Sequence, residues 1–172
     1  MGQREKLSFY DVKLVNTAYC QNVCGGLSLN CQNNGYPDPN NCAKCRCPDG
    51  FAGQLCEKVA TSSSDAVCGS GTQTAGPGWR RIWIAGANTC YWRITAPFGY
   101  RIRIRINGMS FQGGETCQSE YLEVKYTRDL ANTGARLCDV IDLELSSESN
   151  EAVIIYLGST SHSSADLEYG WG

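Results

Sequence analysis

The chain has 172 residues, 42% hydrophobic and 19% charged, with 15 basic against 17 acidic side chains, the make-up of a globular protein of one large or two small domains. That balance excludes a nucleic-acid binder that relies on a basic surface to neutralise phosphates. The longest uninterrupted apolar run, residues 152–157, covers six residues, so no membrane-spanning helix of roughly 20 apolar residues is predicted.

Eleven cysteines are the outlying number, and eight of them fall within the 49 residues from Cys20 to Cys68. Such density is expected where disulfides form and persist, outside the cytosol. An odd count leaves at least one thiol without a partner inside the chain. The opening residues, Met1-Gly2-Gln3-Arg4-Glu5-Lys6, are charged and no apolar stretch of signal-peptide length follows. Lys6 stands where an N-myristoylation pattern wants Ser or Thr. A secreted cysteine pattern without a leader predicts a fragment of a longer secreted chain.

Residues 1–20 are predicted to be helical: Ser8 can cap the helix with Asp11 three residues on, and Val12, Val15 and Tyr19 share one face. Residues 24–56 hold six cysteines in the spacing C-x6-C-x10-C-x2-C-x-C-x8-C, with turn signals at Asn34-Gly35, Pro37-Asp38-Pro39-Asn40 and Asp49-Gly50. Almost no aliphatic run occurs there, so bridges must replace a core. Six cysteines allow 15 pairings, and spacing does not decide among them. Cys42, Cys45 and Cys47 lie close enough in sequence to share a zinc ion, but the Gly-Phe turn between the last two cysteines favours disulfides in an oxidising compartment. Residues 61–65 form a polar linker.

From Cys68 onward only four cysteines occur in 105 residues, and alternating apolar positions predict strands at 79–85, 90–94, 100–106, 121–126 and 152–156. Several short strands separated by turns indicate an antiparallel β-sandwich. In 101–106 three isoleucines alternate with Arg101, Arg103 and Arg105. The isoleucines face a core and the arginines form a basic ladder on the opposite face. That ladder either holds a sulfated glycan or acidic protein, or is balanced by Glu120 and Glu123. Asp139, Asp142, Glu144, Glu148, Glu151, Asp166 and Glu168 make the stretch from Cys138 onward wholly acidic in its charges. They are predicted as solvated loops pairing partly with the arginines. His162, the one histidine, sits in a polar Ser161-His162-Ser163-Ser164 loop and cannot build a three-histidine metal site. No G-x-S-x-G elbow or phosphate-binding P-loop occurs. No catalytic residue is assigned.

The phrase Cys45-Arg46-Cys47-Pro48-Asp49-Gly50-Phe51-Ala52-Gly53-Gln54-Leu55-Cys56 resembles the closing signature of an EGF-like module. The resemblance implies the pairs Cys24 with Cys42, Cys31 with Cys45 and Cys47 with Cys56. Calcium-binding modules of that kind carry an acidic cluster before the first cysteine, whereas residues 17–23 hold none, so no calcium is expected here.

Residues 68–172 resemble a CUB domain through an early Cys-Gly, the phrase Cys90-Tyr91-Trp92-Arg93-Ile94-Thr95-Ala96-Pro97 and the phrase Cys117-Gln118-Ser119-Glu120-Tyr121-Leu122-Glu123-Val124. The resemblance implies the bridges Cys68 with Cys90 and Cys117 with Cys138. It also places the calcium positions of such domains at Gln112, Glu120 and either Ser159 or Thr160. Only one of these is acidic, so calcium binding is not expected. CUB domains finish with a Gly-aromatic phrase and a last strand, and this sequence stops at Tyr169-Gly170-Trp171-Gly172. The final strand is therefore expected to be missing, with unpaired backbone left on its neighbours.

Residues 7–20 resemble the last helix of astacin-type zinc metalloproteinases, and an EGF-like plus CUB tail after that helix is the arrangement of nematode astacins. The implied organisation is a helix remnant over 1–23, an EGF-like module over 24–57, a linker over 58–67 and a CUB domain over 68–172. Cys20 would then be unpaired, its partner lying in a catalytic domain absent here, and available for a covalent dimer. The zinc motif H-E-x-x-H-x-x-G-x-x-H is absent, so zinc is expected only in that missing domain and no cofactor in this chain. Upstream sequence is expected to encode a signal peptide, a pro-segment, the zinc helix and a Met-turn. Downstream sequence is expected to add one strand of about 5 to 8 residues.

The fold expected is thus mostly β: a short helix, a small disulfide-rich module and a jelly-roll-like sandwich. The function expected is a noncatalytic, secreted protein- or matrix-interaction module, the C-terminal targeting region of an astacin-like endopeptidase. Two rivals are a zinc metalloendopeptidase acting on matrix or cuticle proteins, and a diffusible EGF-type ligand. The C-x2-C-x-C spacing compresses the hairpin such a ligand displays.

Overall fold

The computed structural model describes residues 7–25, 29–112, 117–139 and 142–172. The predicted start of the helix, in residues 1–6, lies outside them. The described residues form two compact units: those up to Ala60 with Asp129–Thr133, and Thr61–Arg128 with Gly134–Gly172.

The first unit opens with α1 (Phe9–Cys20). The Ser8 hydroxyl accepts from the Asp11 N–H, and the Asp11 carboxylate accepts from the Ser8 N–H, a reciprocal cap that satisfies two otherwise orphaned donors. The predicted apolar face is not the face that packs. Val15 and Tyr19 are exposed, and α1 buries no residue fully. The neighbouring face, about a quarter-turn away, makes the contacts instead: Phe9 lies 5.7 Å from the Tyr36 ring, Asn16 donates to the Tyr36 hydroxyl at 2.8 Å, and Lys13 donates to the Asn34 carbonyl at 2.8 Å. Two hairpins follow, β1 (Tyr36–Asp38) with β2 (Asn41–Arg46) and β3 (Phe51–Ala52) with β4 (Lys58–Val59). They are stapled by Cys24–Cys42, Cys31–Cys45 and Cys47–Cys56. Few apolar side chains are buried here (Tyr36 and Phe51 chief among them), so these covalent links take the place of a large core. Gly35 has no room for a side chain, since a Cβ would stand 2.7 Å from the Cys56 sulfur. Cys20 carries no disulfide.

The second unit is a sandwich. A one-turn helix, α2 (Asp65–Cys68), leads into β5 (Thr72–Thr74), β6 (Arg80–Ala85), β7 (Thr89–Thr95), β8 (Ile102–Ser110) and β9 (Tyr121–Lys125). Then come β10 (Ala135–Leu137), β11 (Leu143–Ser146), β12 (Glu151–Leu157) and β13 (Ser164–Trp171). Among the described residues one sheet has the order β10-β9-β12-β7-β5 and the other β11-β8-β13-β6. All pairings are antiparallel except that of β5 with β7. The core lies between the sheets and follows period-two alternation. Trp92 and Ile94 on β7, Leu122 and Val124 on β9, and Ile154 and Tyr156 on β12 meet Ile102, Ile104 and Ile106 on β8 and Leu167 and Tyr169 on β13. The Trp92 indole donates to the Cys68 carbonyl at 2.8 Å, so its polar edge is satisfied inside the core. β12, the middle strand of its sheet, also buries Val153 and Ile155 on the other face, which accounts for the continuous apolar run in the sequence.

Cys68–Cys90 ties α2 to β7, and Cys117–Cys138 ties the segment before β9 to the end of β10. The mostly β architecture with its short N-terminal helix agrees with the sequence. Ser164–Trp171, not predicted as a strand, is eight residues long and hydrogen-bonded to β6 on one side and β8 on the other, so the backbone is paired along both of its edges. The sequence obscured it because Asp166 and Glu168 interrupt the apolar text, although they only mark its outward face.

Candidate interaction surfaces of the sandwich

At one end of the sandwich, beside the turn from β12 to β13, Glu120 is 1% exposed. Its Oε1 accepts from the Ser159 N–H at 3.0 Å and from the Ser159 and Ser163 hydroxyls at 2.6 Å each, and its Oε2 accepts from the Gln112 N–H at 2.6 Å. Four protein donors hold the carboxylate, three on Oε1 and one on Oε2. The hydroxyl bonds from Ser159 and Ser163 contribute most to holding its pKa down at about 2, against the opposing cost of burial. Thr160 and Ser163 tighten the turn, the Thr160 N–H donating to the Ser163 hydroxyl at 3.1 Å. Tyr156 lies under this end, its hydroxyl donating to the Gly86 carbonyl at 2.9 Å. Burial, with the Glu120 charge adding to it, raises the phenol to about 12.

The positions matched to calcium ligands thus do come together, but as a hydrogen-bonded knot. A cation would have to displace two hydroxyls and face the Gln112 N–H, a donor pointing the wrong way for a metal. The residues do not fit calcium. Among the described residues there is no cluster of three or more His, Cys, Asp or Glu side chains arranged to hold a metal. His162 is exposed in the same turn, with Nδ1 3.4 Å from the Ser161 hydroxyl.

The arginine ladder lies on the outer face of the four-stranded sheet, with a different set of partners from the one predicted. Glu120 and Glu123 do not balance it. Glu123, on β9 in the other sheet, is buried and accepts from Arg136 Nε at 2.7 Å and the Gly134 N–H at 2.9 Å. Strand register instead puts Arg81, Glu168, Arg105 and Glu144 in one row across four strands, alternating in sign. Glu144 accepts from Arg103 Nη2 at 2.5 Å and from Arg105 Nη2 at 3.4 Å, and Glu168 lies 3.9 Å from Arg105. Arg103 is the main cause of the lowered Glu144 pKa. Arg81 grips Asp166 through two bonds of 2.7 Å, the fork geometry that suits guanidinium and carboxylate. Arg93 pairs with Glu151. Four of the seven acidic residues read as loop groups are therefore strand residues.

Two aromatic groups on this face escaped sequence reading. Trp79 lies beneath the guanidinium groups of Arg103 and Arg105, whose carbons are 5.1 and 4.3 Å from its ring. Trp83 is 64% exposed on the edge strand β6. β13 lies between β6 and β8, so nothing in the linear text brought Trp79 to the β8 arginines, and Trp83 stands opposite Asp166 of β13. Arg101 differs from its two neighbours: it lies before β8, is exposed, and has no ion pair among the described residues.

Comparison with known families settles the affiliation of the sandwich, because the CUB domain profile matches residues 78–169, more than half of the chain. The chain belongs to the CUB domain family. The CUB match ends at Tyr169, inside β13. The chain is also similar to zinc metalloproteinase nas-30 of Caenorhabditis elegans, 42% identical over 161 residues, which are 90% of this chain and 21% of that protein. It is 42% identical over 158 residues to zinc metalloproteinase nas-34 of the same species, covering 92% of this chain and 26% of that protein. The chain thus spans about a fifth to a quarter of the length of these curated relatives. Among solved structures, the CUB1-EGF-CUB2 domains of rat MASP-1 are 15% identical with a TM-score of 0.48, over 59% of this chain and 42% of that one.

Proposed function

We propose that this chain is a noncatalytic, extracellular protein-interaction region, the C-terminal targeting module of an astacin-like zinc metalloendopeptidase. The observation that carries the reading is the alignment of nine-tenths of the chain with about one fifth of a zinc metalloproteinase. The remaining four-fifths of such a relative has ample room for a catalytic domain, while the aligned part is a disulfide-stapled hairpin unit and a CUB sandwich. A single histidine in 172 residues supports the same division, because a three-histidine zinc site needs two more. The extracellular placement rests on the five disulfides and on the nature of the relatives.

The paired row on the four-stranded sheet favours a protein over a sulfated glycan as the partner. Arg103 and Arg105 share Glu144, so the ladder presents little free positive charge to a polyanion. Purified chain is expected to bind immobilised extracellular-matrix proteins saturably, to elute from heparin at low salt, and to cleave no protein substrate in a chelator-sensitive way. One tightly held zinc per chain with chelator-sensitive proteolysis would overturn the reading. Migration as a disulfide-linked pair on non-reducing gels, lost on Cys20→Ser, is the check on a covalent dimer.

A further inference from the structure

The end of the sandwich opposite Glu120 carries a second feature. There β7 ends, β8 begins and β13 finishes, joined by the turn Pro97-Phe98-Gly99-Tyr100. The Tyr100 N–H donates to the Pro97 carbonyl at 3.2 Å, and Gly99 has φ +95°, a backbone state that glycine adopts without strain at the third position of such a turn. Phe98 occupies the outermost position and is 97% exposed, more than any other large apolar side chain among the described residues.

The turn is clamped from both sides. On one, the Ala96 N–H donates to the Asn150 carbonyl and the Asn150 side chain donates to the Ala96 carbonyl, each at 2.9 Å. On the other, Arg101 and Gly172 exchange backbone bonds of 3.3 Å, and the Tyr100 ring lies 3.9 Å from that of Trp171. A phenyl group held outside a well-formed core forfeits its transfer free energy. Held by a clamped turn, it has little freedom to lose when a pocket closes around it.

We propose that this turn is a docking knob: Phe98 inserts into an apolar pocket of a partner protein, and Arg101 meets a carboxylate on the pocket's rim. The proposal rests on the interaction-module reading and names the surface that serves it. Charge complementarity sets the partner's chemistry. Arg103 and Arg105 already share Glu144, whereas Arg101, three residues from Phe98, is exposed and without an ion pair among the described residues. Aromatic and arginine anchors of this kind dominate binding energy at protein interfaces. A single phenyl offers too little apolar area for a stable membrane anchor, which needs an extended apolar face or two lipid chains.

The test uses the whole chain, Phe98→Ser and Arg101→Glu, the latter two checked for an unchanged melting temperature. A phage-displayed library of small folded scaffolds with a randomised concave face, able to form a pocket, is selected on the immobilised chain, and winning binders are produced and titrated. The expected winners carry aliphatic or aromatic residues beside Asp or Glu, and they shift backbone amide resonances of residues 96–101. Their affinity should fall about thirtyfold with Phe98→Ser and about tenfold with Arg101→Glu. Winners that bind both variants unchanged would overturn this surface while leaving the interaction module standing, and the absence of any saturable binder would overturn both. Self-association lost on Phe98→Ser in sedimentation runs, or binding to phosphatidylcholine–phosphatidylserine vesicles lost in the same way, would overturn the partner class.

Discussion

Glu120 shows how one buried carboxylate can hold two loops of the sandwich together. Its four bonds come from Gln112, eight residues before it, and from Ser159 and Ser163, about forty residues after it. Removing the charge leaves buried hydroxyls and amides with a weaker acceptor, so Glu120→Gln is expected to cost about 2–3 kcal/mol of folding stability, measured by urea denaturation. The pH dependence follows from the sign of the shift. A carboxylate depressed from 4.5 to about 2 in the folded state contributes stability that is fully present above the unfolded value and lost as pH falls through the folded one. Wild-type stability should therefore decline between about pH 5 and 2, and Glu120→Gln should flatten that decline. Calcium and chelator should leave the wild-type melting temperature equal within about 1 °C, since a ligand that does not bind cannot stabilise. A calcium-induced rise of several degrees would show that the knot opens to a metal.

At the scale of elements, β13 joins the whole four-stranded sheet, being paired on both edges, and its Leu167 is completely buried. Leu167→Ala is expected to cost about 2–5 kcal/mol in the same urea assay, whereas Trp83→Ala, on the exposed edge strand, should stay within about 0.5 kcal/mol. The approach to β10 is sensitive for a different reason. A Cβ on Gly134 would collide with the Val124 carbonyl of β9, so Gly134→Ala should disrupt the β9–β10 pairing, seen as lost amide protection in residues 122–124 and 135–137. Helix α1 is the element whose sequence reading was right about its cap and wrong about its face. Ser8 and Asp11 act locally, so the capping box was legible. Which side packs was decided by Tyr36 and Asn34, which the linear text does not place beside Phe9, Lys13 and Asn16.

For the whole molecule, the two units are stabilised by different means, and reduction should separate them. The first has three disulfides and few buried apolar groups, whereas the second has a continuous core around Trp92, Ile104 and Tyr156. Replacing both Cys47 and Cys56 by Ser is expected to collapse the amide spectrum of residues 29–60 while residues 80–112 keep theirs. Thiol titration of the denatured, non-reduced wild type should find one free group per chain, at Cys20. Three free groups would mean that one of the five bridges is open.

The sequence by itself determined the elements whose cause is local or periodic: the capped helix, the cysteine-dense unit that no core could hold together, and the strands whose isoleucines alternate with arginines. It also bounded function, since one histidine cannot make a three-histidine zinc site. Only the tertiary structure decided what depends on strand order. Cross-strand register put Glu144 and Glu168, rather than Glu120 and Glu123, beside the arginines. Two-sided pairing showed Ser164–Trp171 to be an internal strand of its sheet, and the chain's return to one end of the sandwich gathered Gln112, Ser159 and Ser163 around Glu120. Period and spacing are properties of neighbouring residues, so they can be read along the chain. Partners across a sheet are separated by dozens of residues and are fixed by which strands lie side by side.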